Sequence, residues 1–270
     1  MVALVDADSI LYRIGFSFED STDWGDGSTK TTTDVEAAKN AIDGVIENIL
    51  FKTGCDSVEL WLTGENNFRH TIVSDYKHNR AKSARPLCYS ELWDYMVDKY
   101  KAKVANGYEA DDMVVCLKTA HPDDYFVCAL DKDVLYQTAG THYNYKTSEF
   151  VEVTPSEAVR FFYYQLLRGD PVDGYIGCKG IGDMKANQIL NQAELQAKEE
   201  NVPVEDLYYG KTVVAYMNSF DCDEDTAIDM IKITGQLACM HQLKWCDKTA
   251  TFTLDLWCNK LGDFGVAGTP

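Results

Sequence analysis

Carboxylates are the residues of this sequence best suited to chemistry, and they recur at particular places. Glu109-Ala110-Asp111-Asp112 packs three acids into four positions where an apolar, helix-like pattern begins. On a helix Glu109 and Asp112 are i, i+3 neighbours, and like charges at that spacing repel by roughly 0.2–0.5 kcal/mol. The positive end of the helix dipole offsets part of that repulsion, and ordinary helices also start with acidic turns. What distinguishes this cluster is the company it keeps. Asp6-Ala7-Asp8 follows the apolar run at 2–5, and Asp131-Lys132-Asp133 follows the one at 125–130. Asp170 and Asp173 lie in Gly169-Asp170-Pro171-Val172-Asp173-Gly174, directly after a predicted helix. Acids at the carboxyl ends of parallel strands face the crevice where α/β sheets bind ligands. Hard oxygen donors of this kind suit Mg²⁺ or Mn²⁺ better than zinc.

The elements that must position these acids alternate between strand and helix. Buried strands are expected at 2–5, 58–62, 102–105 and 125–130, each a short apolar or β-branched run bounded by turn residues. Thr33 and Glu36 have capping-box spacing and start a helix running to about Lys52, after a polar, Gly-rich loop at 20–32. An amphipathic helix is expected at 90–100, and the one beginning at Glu109 stops near His121-Pro122. Runs at 143–145 and 150–153 suit an edge hairpin. Thr154-Pro155-Ser156-Glu157 caps a helix to Arg168 with proline at its first position. A further helix follows at 183–193, and the remainder reads as mostly helical with a short strand at 251–256. The fold class is therefore α/β, with a central, mostly parallel sheet flanked by helices. A core at 1–153 precedes a helical part at 154–198 and a C-terminal region at 199–270 packed on the core.

Composition is that of an ordinary globular protein, with 46% hydrophobic and 12% aromatic residues in 270. No run approaches the roughly 18 apolar residues of a membrane span, and the N-terminus lacks the basic region of a signal peptide. A cytoplasmic location and a monomer are expected. The nine cysteines include no C-x-x-C pair and read as reduced core residues. Cys239, His241 and Cys246 match no zinc spacing. Asp221, Asp223 and Asp225 imitate a calcium loop, but Thr226 stands where glycine is needed.

The formal charge of −18 argues against a nucleic-acid partner unless the basic residues are concentrated. They are. Across 68–86, Arg69, Lys77, Arg80, Lys82 and Arg85 face the single acid Asp75, a formal +4, and Tyr76 adds an aromatic ring. A phosphate-contacting loop or arch accounts for that contrast, although charge runs are often only solvated faces. Later, Gly177-Cys178-Lys179-Gly180-Ile181-Gly182 leads into a helix containing Lys185, so backbone N–H groups at the turn can meet a phosphate.

These segments together resemble the metal-dependent 5′-nucleases, which include flap endonucleases, the 5′-nuclease domain of bacterial DNA polymerase I and stand-alone phage 5′ exonucleases. The resemblance covers about residues 2–190 in one consistent order. Leu4-Val5-Asp6 is similar to the family's first strand with its aspartate. Phe68-Arg69-His70 with Tyr76-Lys77-His78-Asn79-Arg80 resembles the F-R-H and Y-K-x-N-R segments. Glu109-Ala110-Asp111-Asp112 matches E-A-D-D, Asp131-Lys132-Asp133 matches D-K-D, and Gly169-Asp170 through Asp173 matches G-D-x-x-D. Gly180-Ile181-Gly182 with Lys185-Ala186 resembles the helix–three-turn–helix. Asp6-Ala7-Asp8, Asp173-Gly174-Tyr175 and Gly235-Gln236-Leu237-Ala238 bring the likeness nearest to exonucleases of short-tailed phages.

The resemblance implies a PIN-like 5′-nuclease fold and a Mg²⁺-dependent 5′-3′ exonuclease, with flap-endonuclease and RNase H-like activity, in phage replication or host DNA degradation. It implies two Mg²⁺ ions, for which Mn²⁺ substitutes. One falls to Asp6, Glu109, Asp111 and Asp131 and the other to Asp133, Asp170 and Asp173, with Asp112 and Asp8 acting directly or through water. Lys77 and Arg80 would hold the scissile phosphate. Arg69, Tyr76, Lys82, Arg85, Lys179, Gly180, Gly182 and Lys185 would contact duplex DNA, flap DNA or an RNA–DNA hybrid, and replication proteins are expected partners. The family's acid after the second strand is missing at Thr63-Gly64-Glu65, so Asp8 or Glu65 must substitute. The D-N-I-P-G turn is altered to Asp173-Gly174-Tyr175-Ile176-Gly177, although a K⁺ ion in the Gly180–Gly182 turn stays an expectation. A haloacid-dehalogenase-type phosphatase shares the D-x-D start but leaves E-A-D-D without a role. A non-catalytic DNA-binding protein would be expected to have lost its carboxylates.

Overall fold

The computed structural model describes residues 1–25, 29–78, 85–249 and 251–254. The chain divides into two compact units, one of residues 1–67 and 82–152, the other of 68–81 and 153–270.

The first unit is built on a six-stranded sheet. Its strands are β1 (Val2–Asp6), β4 (Ser57–Thr63), β5 (Lys103–Ala105), β6 (Tyr125–Cys128), β7 (Gly140–Asn144) and β8 (Glu149–Val153), in the spatial order β5-β4-β1-β6-β7-β8. The pairs β1–β4, β1–β6, β4–β5 and β6–β7 are parallel, in the register Val5↔Leu60 and Val5↔Cys128 at the centre. Both faces of such a sheet must be covered, which is why the central strands read as unbroken apolar runs. On one face Ala3, Val5, Leu60 and Leu62 pack with α1 (Asp8–Ser17), α2 (Val35–Thr53) and α4 (Tyr89–Tyr100). Helix α2 contributes Ala38, Ile42, Ile46 and Ile49, a stripe at helical spacing. The opposite face meets α5 (Ala110–Ala120), whose residues from Asp112 to Lys118 are all buried, so this helix is apolar nearly all round. A short α6 (Lys132–Gln137) follows β6.

Several expectations are corrected in this unit. The segment at 20–32 is not a loop but part of a hairpin, β2 (Glu19–Asp23) and β3 (Thr29–Thr33). Both of its faces are largely exposed, so no alternation marks it. Helix α2 is capped by Asp34, whose side chain accepts the Ala37 N–H at 3.0 Å, and not by Thr33. Asp8 lies in a helix rather than at a strand end, because α1 begins directly after β1.

The second unit is mostly helical. It comprises α3 (Arg69–Ile72), α7 (Pro155–Arg168), the hairpin β9 (Gly169–Asp170) and β10 (Tyr175–Ile176), α8 (Asp183–Glu200), α9 (Val204–Phe220), α10 (Glu224–Ala238), and the hairpin β11 (Leu243–Cys246) and β12 (Thr251–Leu254). The capping box expected for α7 is present, with Thr154 and Glu157 bonded reciprocally. Tyr163, Leu166, Leu190, Tyr216 and Ile231 centre its core. Among the described residues no helix is long and apolar enough to cross a membrane.

Candidate active site

In the first unit three chain segments bring carboxylates together at the carboxyl ends of β1 and β4. Asp6 closes β1 and is buried, and its Oδ1 accepts the Asp8 N–H at 3.0 Å. Asp8, the first residue of α1, turns its own Oδ2 to the N–H of Thr63 at 3.1 Å, at the end of β4. The Thr63 hydroxyl accepts the N–H of Ala110 at 2.9 Å, which ties the start of α5 to the same corner. Thr63, which sequence reasoning passed over as a strand break, therefore joins Asp8 to the acidic helix. Of the two residues expected to replace the family's missing acid, Asp8 places its carboxylate at the β4 end. Glu65 is exposed, with its carbonyl accepting the Gly107 N–H.

Glu109 is the N-cap of α5, and Asp112 reaches back to accept the Glu109 N–H at 3.0 Å in a reciprocal capping box. Asp112 is completely buried. Its position fixes Glu109, whereas Asp111 is half-buried on the same first turn. Asp112 and burial together push the Cys116 thiol one turn on to about 12, burial being the larger cause. After β6, Asp131 caps α6 by accepting the Asp133 N–H at 2.8 Å, and Asp133 is buried. The Tyr145 hydroxyl bonds Ser9. Burial, and then the nearby Asp6, hold the Tyr145 phenol well above its usual range.

In the second unit Asp170 is buried in β9, and its Oδ1 accepts the N–H groups of Val172 at 2.9 Å and Asp173 at 3.4 Å. The tight crossing that holds this loop brings Gly169 against Gly177, where a Cβ on either would collide with backbone. Lys77 joins the loop from the basic segment: its N–H donates to the Asp173 carbonyl at 3.4 Å. Gly174, at φ +81°, leaves room for that approach, since a Cβ there would sit 3.3 Å from the Lys77 nitrogen. The Lys77 ammonium lies 5.1 Å from the centre of the Tyr76 ring.

The DNA roles expected for two residues are corrected here. Arg69 is 0% exposed, and its guanidinium donates to the carbonyls of Leu237 at 3.1 Å and Cys239 at 3.2 Å. Tyr76 is likewise buried, in the core of this unit. Both belong to the packing beneath Lys77 rather than to a surface that could meet phosphate. Lys179, Gly180, Gly182 and Lys185 are exposed, with Gly182 at the N-cap of α8. The Lys185 ammonium donates to the Gly180 carbonyl at 3.0 Å. Arg85 is exposed, its guanidinium 4.7 Å from the centre of the Tyr89 ring. Arg80 and Lys82 lie outside the described residues.

A family model for the 5′-3′ exonuclease, N-terminal resolvase-like domain, matches residues 1–161, more than half of the chain. The chain belongs to this 5′-3′ exonuclease family. That membership removes the phosphatase alternative. The chain is 28% identical over 153 residues to a 5′-3′ exonuclease of Bacillus subtilis (strain 168), covering 50% of this chain and 51% of the relative. It is 24% identical over 193 residues to an exodeoxyribonuclease of Enterobacteria phage T3, covering 68% and 63%. It thus spans less than two thirds of either relative. Among solved structures, its fold is similar to that of a bacteriophage T5 flap endonuclease in a pseudo-enzyme–product complex with DNA and metal ions. The TM-score is 0.54 at 16% identity, over 87% of this chain and 99% of that one. A T5 5′-exonuclease with zinc bound gives 0.54 at 15% identity, over 88% and 98%.

Proposed function

We propose that this exonuclease-family chain is a divalent-metal-dependent 5′-3′ nuclease that hydrolyses DNA phosphodiesters from 5′ ends and at 5′ flaps. RNA–DNA hybrids are further substrates, and the setting is phage replication or host DNA degradation, with replication proteins as partners. The observation that carries the reading is the convergence of Asp6, Asp8 and the Glu109–Asp112 turn on the carboxyl ends of β1 and β4.

The donor set consists of carboxylate oxygens, several of them buried, and it fits Mg²⁺ or Mn²⁺. In this reading Asp6, Glu109, Asp111 and Asp131 hold one ion, with Asp8 contributing directly or through water. Asp133, Asp170 and Asp173 hold the other. When bound there, two such ions would supply a water of lowered pKa and offset charge on the leaving oxygen. The protein's own contribution is placement. Asp112 holds Glu109 in position, Thr63 holds Asp8 and the α5 N-terminus, and the Asp170 loop holds Lys77 by its backbone. Lys77, with Arg80, grips the scissile phosphate and offsets the charge that grows as water adds to phosphorus and the bond to the leaving oxygen breaks. Lys179, Lys185 and the Gly180–Gly182 turn hold the duplex backbone, contacts that position without reading sequence.

Asp111→Asn tests the assignment. Single-turnover cleavage should disappear while affinity for flap DNA measured in Ca²⁺ stays within about threefold, a change worth less than 1 kcal/mol. Full activity in this variant would refute the ligand set.

A further inference from the structure

Helices α8 and α9 enclose an open groove of about 710 Å³, and beyond Lys179, Gly180 and Lys185 the nuclease reading leaves its lining without a role. Each helix gives it one stripe. Lys185 and Ile189 of α8 are i, i+4, and Leu207, Gly210, Lys211 and Val214 of α9 are i, i+3, i+4 and i+7. The opposite stripe of α9, with Tyr208, Thr212 and Tyr216, is buried in the core, so the groove is the helix's second face. Val214 is 55% exposed, and Ile189 and Leu207 are half-buried.

Gly210 is the unexpected residue. It lies inside a 17-residue helix, where glycine is among the poorest helix formers. None of the described residues lies within 4 Å of the Cβ it lacks, so their packing gives no reason for it. The side-chain-free position recesses the groove where another backbone can come close. Charge points the same way. Among the described residues Lys179, Lys185 and Lys211 line the groove and no acid does, in a chain of formal charge −18.

We propose that this groove docks an acidic amphipathic helix of a partner protein. Its apolar face would lie on Ile189, Leu207 and Val214, its backbone would pass closest at Gly210, and its carboxylates would meet the three lysines. A helix is about 10–12 Å across with its side chains and fits between two neighbours. A duplex is too wide to enter, and its phosphates would use the lysines while leaving the apolar wall and the recess unfilled. The inference shares Lys179 and Lys185 with the proposed duplex contacts, so it depends on Ile189, Leu207, Gly210, Lys211 and Val214, and it needs no metal.

The test is fluorescence anisotropy with a labelled peptide of 18 residues, the length of α8, with leucines at i, i+3, i+4 and i+7 and glutamates on its flanks. A scrambled peptide of the same composition is the control. Saturable binding with a Kd of roughly micromolar order is expected, weakened about tenfold or more by scrambling, by Gly210→Leu and by Lys211→Glu. Gly210→Leu should leave the melting temperature unchanged or raise it, because its new side chain meets open space. Four results would overturn the proposal: no saturation, equal binding of the scrambled peptide, undiminished binding to both variants, or a loss of flap-DNA affinity in Gly210→Leu. The last would give the groove to DNA.

Discussion

Asp8 and Thr63 meet across two strand ends, with Oδ2 of the aspartate accepting the threonine N–H at 3.1 Å. The bond carries a carboxylate from the first turn of α1 to the end of β4, and we propose that Asp8 takes the place of the acid missing at Thr63-Gly64-Glu65. Asp8→Ala should weaken Mn²⁺ binding about 10–100-fold, the usual cost of disturbing a ligand or its support. Calorimetric titration with Mn²⁺ measures this without any substrate. Unchanged affinity would leave Asp8 a purely structural residue.

Asp112 is read here as the residue that positions Glu109. Replacing it with alanine removes the cap on the Glu109 N–H, which should cost about 0.5–2 kcal/mol of stability. Glu at position 112 restores an acceptor and should recover part of both stability and metal affinity. Denaturant melts alongside Mn²⁺ titration separate the two effects, and an alanine variant of full stability would contradict the capping role.

Arg69 and Lys185 are expected to behave differently, the first as a structural cation and the second as a proposed DNA contact. Arg69→Lys should be strongly destabilising, because two buried carbonyls lose a charged donor worth roughly 1.5–3 kcal/mol each. The salt dependence of DNA binding by the protein that remains folded should not change. Lys185→Ala should leave the melting temperature nearly constant and reduce the slope of log K against log salt by about 1. The reverse pattern would return Arg69 to the DNA surface.

His142 should make stability fall in mild acid. Its ring is wholly buried, Nε2–H donates to the Thr138 carbonyl at 2.6 Å, and Nδ1 has no hydrogen-bond partner among the described residues. Burial, and then the charge of Lys118, hold its pKa below 6.5. The unfolded chain therefore binds the proton first as pH falls. The stability contributed by neutral His142 is present above about pH 6.5 and is lost as pH falls below it. Melting temperatures from pH 7.5 to 5 should fall more steeply in the wild type than in His142→Gln, and parallel curves would contradict the assignment.

Much of this architecture is legible in the sequence, for physical reasons. Doubly covered parallel strands must be continuous apolar runs, so β1, β4 and β6 stand out, and the Thr154–Glu157 capping box marks α7. The acids stand out because their repulsion needs an explanation. What stays hidden depends on contacts distant in sequence. Arg69 looks like a surface cation until Leu237 and Cys239 arrive 168 and 170 residues later to bury it. Asp112 reads as one ligand among three until its capping bond is seen, and Thr63 reads as a strand break until its hydroxyl reaches Ala110. The β2–β3 hairpin is polar on both faces and has no periodicity to read.

In the proposed function, carboxylate-held divalent ions drive cleavage from a DNA 5′ end. The most direct measurement follows release of label from 5′-labelled duplex and flap DNA as Mg²⁺ is titrated in, and again after excess chelator. No cleavage is expected without metal, with saturable activation by Mg²⁺, comparable activation by Mn²⁺ and complete reversal by chelator. Cleavage that persists in chelator, or none at any Mg²⁺ or Mn²⁺ concentration, would contradict the proposed function.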